Sequence, residues 1–454
     1  MDIKFILPQD QVFWYLNNKP TQKLNCNLQT DVVVVGGGMA GLHAAQSFHA
    51  QGYKVALLEK SYCGAGASGK SSGFITPESE LNVTHLLNLF GHDGAKKLWD
   101  LTSYGCTLIE SNIKKYNLDC DYKIQNTLVV ASSAKDFKEL ELEHNNRTKL
   151  GYKTKLYSQS ELTQIIGSNA YYGGLESYDT FGISAYKYCQ ELKKQLELSG
   201  VKIFEDSHVV KINQDSVETA QYKVTAKHIV VCVDRFLPEI VTAPAPFDRL
   251  RASARGEHVE PYERKKIADN VYQAQTFLML SEPLSEHVIK QIFPKDQLMV
   301  WDTDFIYQYF RIIENNRLMV GGSDLISIFW GREQHNQKRI MQKLTNYIQN
   351  KFPNLQINFE FFWPGLIGVS KDLAPVAGQD PRYHNIYYIS GATGLPWAAA
   401  IGNYSAQRLT KKDTVLEQYL SFDRKFAVNR FFQAFLGKRI SFALSNFIVM
   451  YFKK

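Results

Sequence analysis

The sequence lacks the apolar stretches that mark membrane-spanning and secreted chains. No apolar run reaches the ~20 residues that a helix needs to cross a bilayer. The first residues, MDIKFILPQDQ, contain no basic segment followed by an apolar one, so no signal peptide is predicted. These absences favour a cytoplasmic protein. The mild net charge of +7 leaves association with an anionic membrane surface as an alternative.

Metal-binding and nucleic-acid-binding patterns are also missing. The six cysteines are scattered and form no C-x-x-C pair, which indicates free thiols in a reducing compartment and no zinc site. No long run of lysine or arginine accompanies the net charge of +7. We therefore expect no bound metal and no nucleic-acid partner.

The chain does have the length and composition of a large globular protein. Its 454 residues exceed what one core normally serves, so two or three domains are expected. Aromatic residues make up 13% of the chain, which hints at aromatic-lined pockets, although a large core also uses them.

Residues 64–71, GAGASGKS, match the phosphate-binding P-loop pattern G-x-x-x-x-G-K-[ST]. A P-loop opens directly into a helix whose first N–H groups bind phosphate. Here SSGFITP follows, and Gly73 and Pro77 would disrupt a helix that begins at Lys70. The strand-like IVVCVD ends in Asp234, a candidate magnesium ligand, but a buried strand that ends in Asp is common in α/β proteins. The sequence therefore favours another role for GAGASGKS.

A dinucleotide-binding fingerprint precedes this loop. The apolar run 32–35 predicts a buried parallel strand, and Gly36, Gly38 and Gly41 follow it as G-x-G-x-x-G before a helix-like stretch. These glycines permit a tight turn, a close approach to pyrophosphate, and close packing of the helix on the strand. Glu59 ends the next strand 18 residues after Gly41, where it can bind the adenosine ribose. The alternative is a glycine-rich turn in some other α/β protein.

Together these segments resemble the FAD-dependent D-amino acid oxidase/glycine oxidase (DAO) superfamily, and within it bacterial γ-glutamylputrescine oxidoreductase-like proteins. The N-terminal match is DVVVVGGGMAGLHAAQSFHAQGYKVALLEK with GAGASGKSSGF. FLMLSEPLSE and YFRIIENNRLMVGG resemble looser middle segments, and NIYYISGATGLPWAAAIGNYSAQRL resembles the closing flavin-binding segment. The resemblance covers most of residues 10–450.

This resemblance implies FAD as the cofactor. We expect it to be bound non-covalently, because attachment in the family uses a Cys or His at particular positions and no cysteine follows Cys232. Apart from the resemblance, the residues of the closing segment predict a strand, a turn and a second helix that begins near Pro396. This helix gives a second N-terminus for the flavin. The residues expected to contact FAD are Gly36, Gly38, Met39, Ala40, Gly41, Glu59, Lys60, Gly66, Ala67, Ser68, Gly69, Ser71, Ser72, Gly73, Val209, Val210, Gly391, Thr393, Gly394, Leu395 and Pro396.

The resemblance also implies oxidation of a C–N bond, with hydride passing to flavin N5 and an imine that water then hydrolyses. Simple amino acid oxidases of the family carry an Arg for the substrate carboxylate before the closing motif, but GLIGVSKDLAP has none. This favours an amine, or an amino-acid-like substrate held elsewhere. The electron acceptor is O2 or another acceptor. The alternatives are a dehydrogenase that donates to a membrane quinone and a flavin-binding protein without turnover.

Candidate catalytic residues come from three segments. Tyr309 and Arg311 alternate in WDTDFIYQYFR and would share one strand face with Tyr307, which suits an amino-acid-like ligand. The alternative is a packed aromatic face with a surface Arg. The resemblance puts Lys70 near cofactor and substrate, unless it is a solvated loop residue, and Trp397 beside the flavin segment as a pocket wall.

The predicted fold is mixed α/β, with a Rossmann-like FAD-binding domain and a second domain built on a mainly antiparallel sheet that binds the substrate. The first comprises residues 1–85, 155–240 and 360–415, and the second residues 86–154 and 241–359. Residues 241–270 are predicted to be a surface excursion or a loop over the pocket. The apolar, basic residues 416–454 are predicted to form a C-terminal helical tail, which would pack on the body or make peripheral contact with a membrane.

Overall fold

The computed structural model describes residues 12–15, 20–242, 267, 269–304, 306–323 and 337–426, and six positions beyond them. Two large sheets and one small sheet dominate the fold. The strands are β1 (Leu28–Val35), β2 (Val55–Leu58), β3 (Phe74–Ile75), β4 (Lys123–Ile124), β5 (Thr127–Val130), β6 (Thr154–Ser158), β7 (Gly173–Ser177), β8 (Phe181–Gly182), β9 (Lys202–Phe204), β10 (Lys211–Ile212), β11 (Ser216–Glu218), β12 (Lys223–Val231), β13 (Val271–Pro283), β14 (Met299–Asp302), β15 (Tyr309–Ile313), β16 (Arg317–Gly322), β17 (Phe359–Ser370), β18 (Val376–Gln379) and β19 (Ile386–Ser390).

Helices flank the large sheets. They are α1 (Met39–Ala50), α2 (Val83–Tyr116), α3 (Ala134–Lys149), α4 (Gln159–Leu162), α5 (Ala185–Ser199), α6 (Leu237–Thr242), α7 (Glu286–Ile292), α8 (Gln337–Lys351), α9 (Leu395–Lys411) and α10 (Glu417–Leu420). The predicted helix 92–116 forms the main part of α2, which breaks at Gly91, where the backbone has φ +67°.

The first sheet has the predicted Rossmann-like arrangement. Its central strands are parallel, in the order β9–β2–β1–β12–β19. The all-apolar run 32–35 in β1 is fully buried, because α1 and α9 pack on one face while a second apolar cluster fills the other. Parallel strands bring their carboxyl ends to one edge, so Val35, Leu58 and Val231 end close together, and the site forms beyond this edge.

The second sheet runs in the order β17–β13–β16–β15–β14–β5–β7–β6 and is antiparallel except where β14 pairs with β5. The predicted mixed α/β class with a mainly antiparallel second sheet is confirmed. Strand membership differs from the predicted division at two places. Strand β7 lies within residues 155–240, and all but the first residue of β6 and of β17 lie within 155–240 and 360–415; all three strands pair in this second sheet. The two regions are therefore more interleaved along the chain than predicted.

Two predicted features fall largely outside the described residues. Most of the predicted loop 241–270 lies outside the described residues, and so does most of the tail after residue 426. Within the tail, the Gln433 side chain accepts a hydrogen bond from the Tyr272 hydroxyl at 2.8 Å and donates one to the Asp269 carbonyl at 3.1 Å. Among the described helices, none combines the length and the apolar character needed to cross a membrane.

Candidate active site

A cavity of about 1080 Å³ lies between the first and the second sheet. One end is formed by the turn after β1 and the end of β2, and the other by residues that precede and begin β15. The turn before α9 lines the region between them. The cavity therefore joins the predicted dinucleotide site to the predicted substrate region.

The dinucleotide end is built by close backbone packing. Gly36 has φ +105°, and a side chain on Gly41 would place its Cβ 1.8 Å from the Gly36 carbonyl oxygen. The turn therefore requires glycine at both positions. Gly38, Met39 and Ala40 line the cavity at the N-terminus of α1, whose first turn carries no acidic residue. This helix end suits an anionic pyrophosphate. The Ser68 hydroxyl accepts a hydrogen bond from the Met39 amide at 3.0 Å.

Glu59 occupies the position expected of a ribose ligand, at the end of β2 and on the cavity wall. Its carboxylate accepts hydrogen bonds from the Gly37 amide at 2.7 Å and the Ser61 amide at 3.0 Å. Burial raises the pKa of this carboxyl, and the two amides oppose the rise. One accepted bond per oxygen leaves lone pairs for ribose hydroxyls.

The loop 64–70 is held from behind by aromatic donors. The Tyr15 hydroxyl lies 3.1 Å from the Gly64 carbonyl, and the indoles of Trp14 and Trp363 donate to the carbonyls of Gly69 and Lys70. No helix begins at Lys70, because the chain passes through a bend into β3. Sequence reasoning found the loop but not these anchors, since they come from distant segments.

Asp234, the candidate magnesium ligand, binds two backbone amides. Its carboxylate accepts hydrogen bonds from the Gly368 amide at 2.7 Å and the Gly391 amide at 3.2 Å. It therefore joins the end of β12 to β17 and to the turn after β19. GAGASGKS thus lacks both the helix and the acid that a P-loop requires.

This geometry makes a testable prediction for Lys70. Isothermal titration of FAD-loaded protein with MgATP should give no binding in the wild type, and Lys70→Ala should behave identically, because no helix end is present to bind a γ-phosphate. Flavin absorbance per protein serves as the control for an intact fold. Binding of MgATP that disappears in Lys70→Ala would restore the P-loop interpretation.

The closing segment supplies a second helix end to the cavity. Thr393, Gly394, Leu395 and Pro396 line it at the N-terminus of α9, whose first turn carries no acidic residue. The Thr393 hydroxyl is buried and has no hydrogen-bond partner among the described residues, and the same holds for Thr76, which also lines the cavity. Uncapped helix ends and unpartnered hydroxyls fit a polar cofactor such as FAD.

Aromatic rings surround the other end of the cavity. Phe74 stacks on Trp301 with ring centroids 5.7 Å apart, and Tyr309 meets the edge of Phe74 at 5.7 Å. Tyr307 lies 5.8 Å from Tyr309, and its hydroxyl donates to the Glu80 carboxylate at 2.9 Å. All five residues line the cavity. Sequence reasoning missed Glu80, because TPESELN contains no motif that marks it.

Two of the four candidate catalytic residues do not line the cavity. Arg311 is fully buried, and it donates to the Ser72 carbonyl at 2.8 Å, the Gln125 side chain at 3.0 Å and the Ile183 carbonyl at 2.6 Å. These partners adjoin the three strands of the small sheet β3–β8–β4, so Arg311 is a structural cross-link. Trp397 is buried in the apolar core that includes α1 and α9.

Most of the other predicted residues meet at the cavity. Gly41, Gly69 and Gly391 shape the backbone behind it without lining it. The predicted residues that line the cavity are Gly36, Gly38, Met39, Ala40, Glu59, Lys60, Gly66, Ala67, Ser68, Lys70, Ser71, Ser72, Gly73, Val209, Val210, Tyr309, Thr393, Gly394, Leu395 and Pro396.

Comparison with known proteins gives a family match over most of the chain. Residues 31–408 match the family model described as DAO, FAD dependent oxidoreductase. The γ-glutamylputrescine oxidoreductase of Escherichia coli (strain K12) is 27% identical over 380 residues, which cover 83% of this chain and 82% of that protein.

Solved structures share the fold. The L-proline dehydrogenase from P. horikoshii superposes with a TM-score of 0.69 at 14% identity, over 90% of this chain and 99% of that one. Glycine oxidase from Geobacillus kaustophilus gives a TM-score of 0.67 at 16% identity, over 88% of this chain and 100% of that one.

Proposed function

Since the chain belongs to the DAO family of FAD-dependent oxidoreductases, we propose that it oxidises a C–N bond of an amine or amino-acid-like substrate. The enzyme takes FAD as its cofactor, and the bound FAD supplies the electron acceptor for the substrate carbon that carries the nitrogen. The product is an imine, which water hydrolyses.

The chain's own residues hold the cofactor in this proposal. The turn at Gly36 and the N-terminus of α1 bind the pyrophosphate, and Glu59 binds the ribose. The loop 64–73 and the N-terminus of α9 flank the ring. FAD is held non-covalently in this proposal.

One observation carries the proposal: a single cavity runs from the helix N-terminus at Gly38 to the aromatic group around Tyr309. A substrate bound among these rings lies in the same enclosure as the cofactor. Aromatic walls exclude water and position a small organic substrate, which supplies much of the rate gain when hydride transfer needs no strong base. The relatives support an amine or amino-acid-like substrate, since one is named γ-glutamylputrescine oxidoreductase and others are named for glycine and L-proline.

The test is anaerobic reduction of the purified holoprotein. Primary amines, N-methyl amines and N-methyl amino acids are added in turn, and flavin absorbance is followed. We expect the yellow colour to bleach with at least one amine or amino-acid-like compound. A protein that is yellow but bleached by none of them would instead be a flavin-binding protein without turnover.

Readmission of air to the bleached protein then separates the two enzyme classes. Rapid recovery of colour supports an oxidase that uses O2. Slow recovery that a soluble quinone accelerates supports a dehydrogenase. Either result keeps the C–N oxidation, because it concerns only the second half of the reaction.

A further inference from the structure

Glu80 is a carboxylate on the wall of the substrate end of the cavity. It lies next to Ser79, which is close to the start of α9, since a Cβ on Gly394 would meet the Ser79 Cβ at 3.0 Å. On its other side its carboxylate accepts the hydrogen bond from Tyr307 at 2.9 Å. The carboxylate therefore lies between the predicted flavin segment and the aromatic group of the second sheet.

The surroundings of Glu80 suit a cation. Four rings, from Phe74, Trp301, Tyr307 and Tyr309, line the same end of the cavity, and aromatic faces attract alkylammonium groups. The nearby Glu78 forms an ion pair with Arg147, which also pairs with Glu143, so this buried cluster holds two carboxylates and one guanidinium. It adds negative rather than positive charge to this end.

Lys70 also lines the cavity, but no arginine of the described wall around Tyr309 faces a substrate carboxylate. Arg311, on the same strand as Tyr309, does not line the cavity and donates to three internal acceptors. Arg235 lines the cavity elsewhere, where its guanidinium donates to the Leu366 carbonyl and lies 4.3 Å from the Phe236 ring. The bidentate arginine that an α-amino acid would favour is thus absent from the described wall around Tyr309.

We propose that the Glu80 carboxylate binds an ammonium group of the substrate within this aromatic enclosure and so selects amines over α-amino acids. This inference rests on the proposed C–N oxidation and specifies its substrate class. Burial raises the pKa of the Glu80 carboxyl, and the Tyr307 hydroxyl opposes the rise by stabilising the ionised form.

Two variants separate the charge of Glu80 from its hydrogen bond. Glu80→Gln keeps an acceptor for Tyr307 and removes the charge, whereas Tyr307→Phe removes the donor and keeps the charge. The probe is tetramethylammonium, a permanent cation that cannot be oxidised, and its binding is read from the perturbed flavin spectrum. We expect Glu80→Gln to weaken its affinity about ten-fold or more and to raise the KM for 1,4-diaminobutane, whose second, non-reacting nitrogen stays protonated at Glu80, with a smaller loss in Tyr307→Phe.

The opposite ranking, with wild-type cation affinity in Glu80→Gln and a loss in Tyr307→Phe, would overturn the proposal and leave Glu80 a structural acceptor. FAD content and Tm establish that both variants are folded. Should Glu80→Gln not retain FAD, the wild type itself is decisive: it must bind tetramethylammonium more tightly than acetate, and tighter acetate binding refutes the proposal.

These outcomes are distinct from failure of the proposed function. Bleaching by amines with the same KM in wild type and Glu80→Gln would keep the oxidation and discard the ammonium site. Cation binding that depends on Glu80, in a protein that no amine reduces, would keep the site and discard the oxidation.

Discussion

Replacing Gly41 with alanine is expected to give a protein that retains less than about one-tenth of its FAD. The added Cβ would lie 1.8 Å from the Gly36 carbonyl oxygen and 3.0 Å from its carbon, both of them backbone atoms that cannot turn aside. Helix α1 must therefore move away from β1, and its N-terminus moves with it. Flavin absorbance per protein after purification measures the loss, and Tm reports the accompanying destabilisation.

Gly378→Ala is the matched control. Gly378 lies in β18 of the same sheet, and a Cβ there meets Phe422 at 3.4 Å, an ordinary contact. This variant should keep its FAD, because nothing at the cavity moves. Full FAD content and an unchanged Tm in Gly41→Ala would show that α1 does not approach β1 as closely as described.

Replacing Arg147 with methionine is expected to lower the free energy of unfolding by about 3–5 kcal/mol. The guanidinium is 1% exposed and pairs with Glu143 at 2.6 Å and Glu78 at 2.5 Å. It also donates to the Ser177 hydroxyl at 2.7 Å, which ties α3 to β7. Methionine fills similar space but leaves two buried carboxylates without their cation. Denaturant unfolding and Tm of the holoprotein measure the effect.

A surface ion pair provides the comparison for Arg147. Lys114 and Glu110 form an i, i+4 pair on α2, and the lysine side chain is 63% exposed. Lys114→Met should change stability by no more than about 0.5 kcal/mol, since water screens the pair. Equal losses in the two variants would mean that burial of the Arg147 cluster contributes nothing beyond an ordinary surface contact.

The dinucleotide end could be predicted because its signals are local. A buried strand, three glycines at fixed spacing and the acid Glu59 all fall within residues 32–59, and each has a backbone role that only certain residue types can fill. The same locality excluded the P-loop, since the helix-breaking residues follow Lys70 directly.

Arg311 shows where the strand pattern fails. It shares a strand face with Tyr309, as alternation predicts, but that face is covered by different neighbours along its length. The cavity lies at Tyr309, whereas the small sheet β3–β8–β4 covers Arg311. Periodicity predicts which face of the strand a residue occupies, but it does not predict which other elements pack against that residue.

Glu80 was missed for a related reason. Its partner Tyr307 lies 227 residues away, and neither residue stands in a motif. The pair exists only because the two sheets meet at this edge. Trp14 and Trp363 hold the loop 64–70 across 55 and 293 residues, so the loop sequence alone could not predict what supports it.

The strand order of the first sheet also determines when, during synthesis of the chain, this sheet can assemble fully. β1 pairs with β12, and β12 pairs with β19, so strands beginning at Leu28 and ending at Ser390 lie side by side. Asp234 adds bonds to Gly368 and Gly391, which follow it by 134 and 157 residues. A ribosome-bound chain that has not yet released these late residues lacks β19 and the α9 end of the cavity. Such long-range pairing forms slowly, so we expect tight FAD binding only after the segment that contains β19 and α9 has left the ribosome.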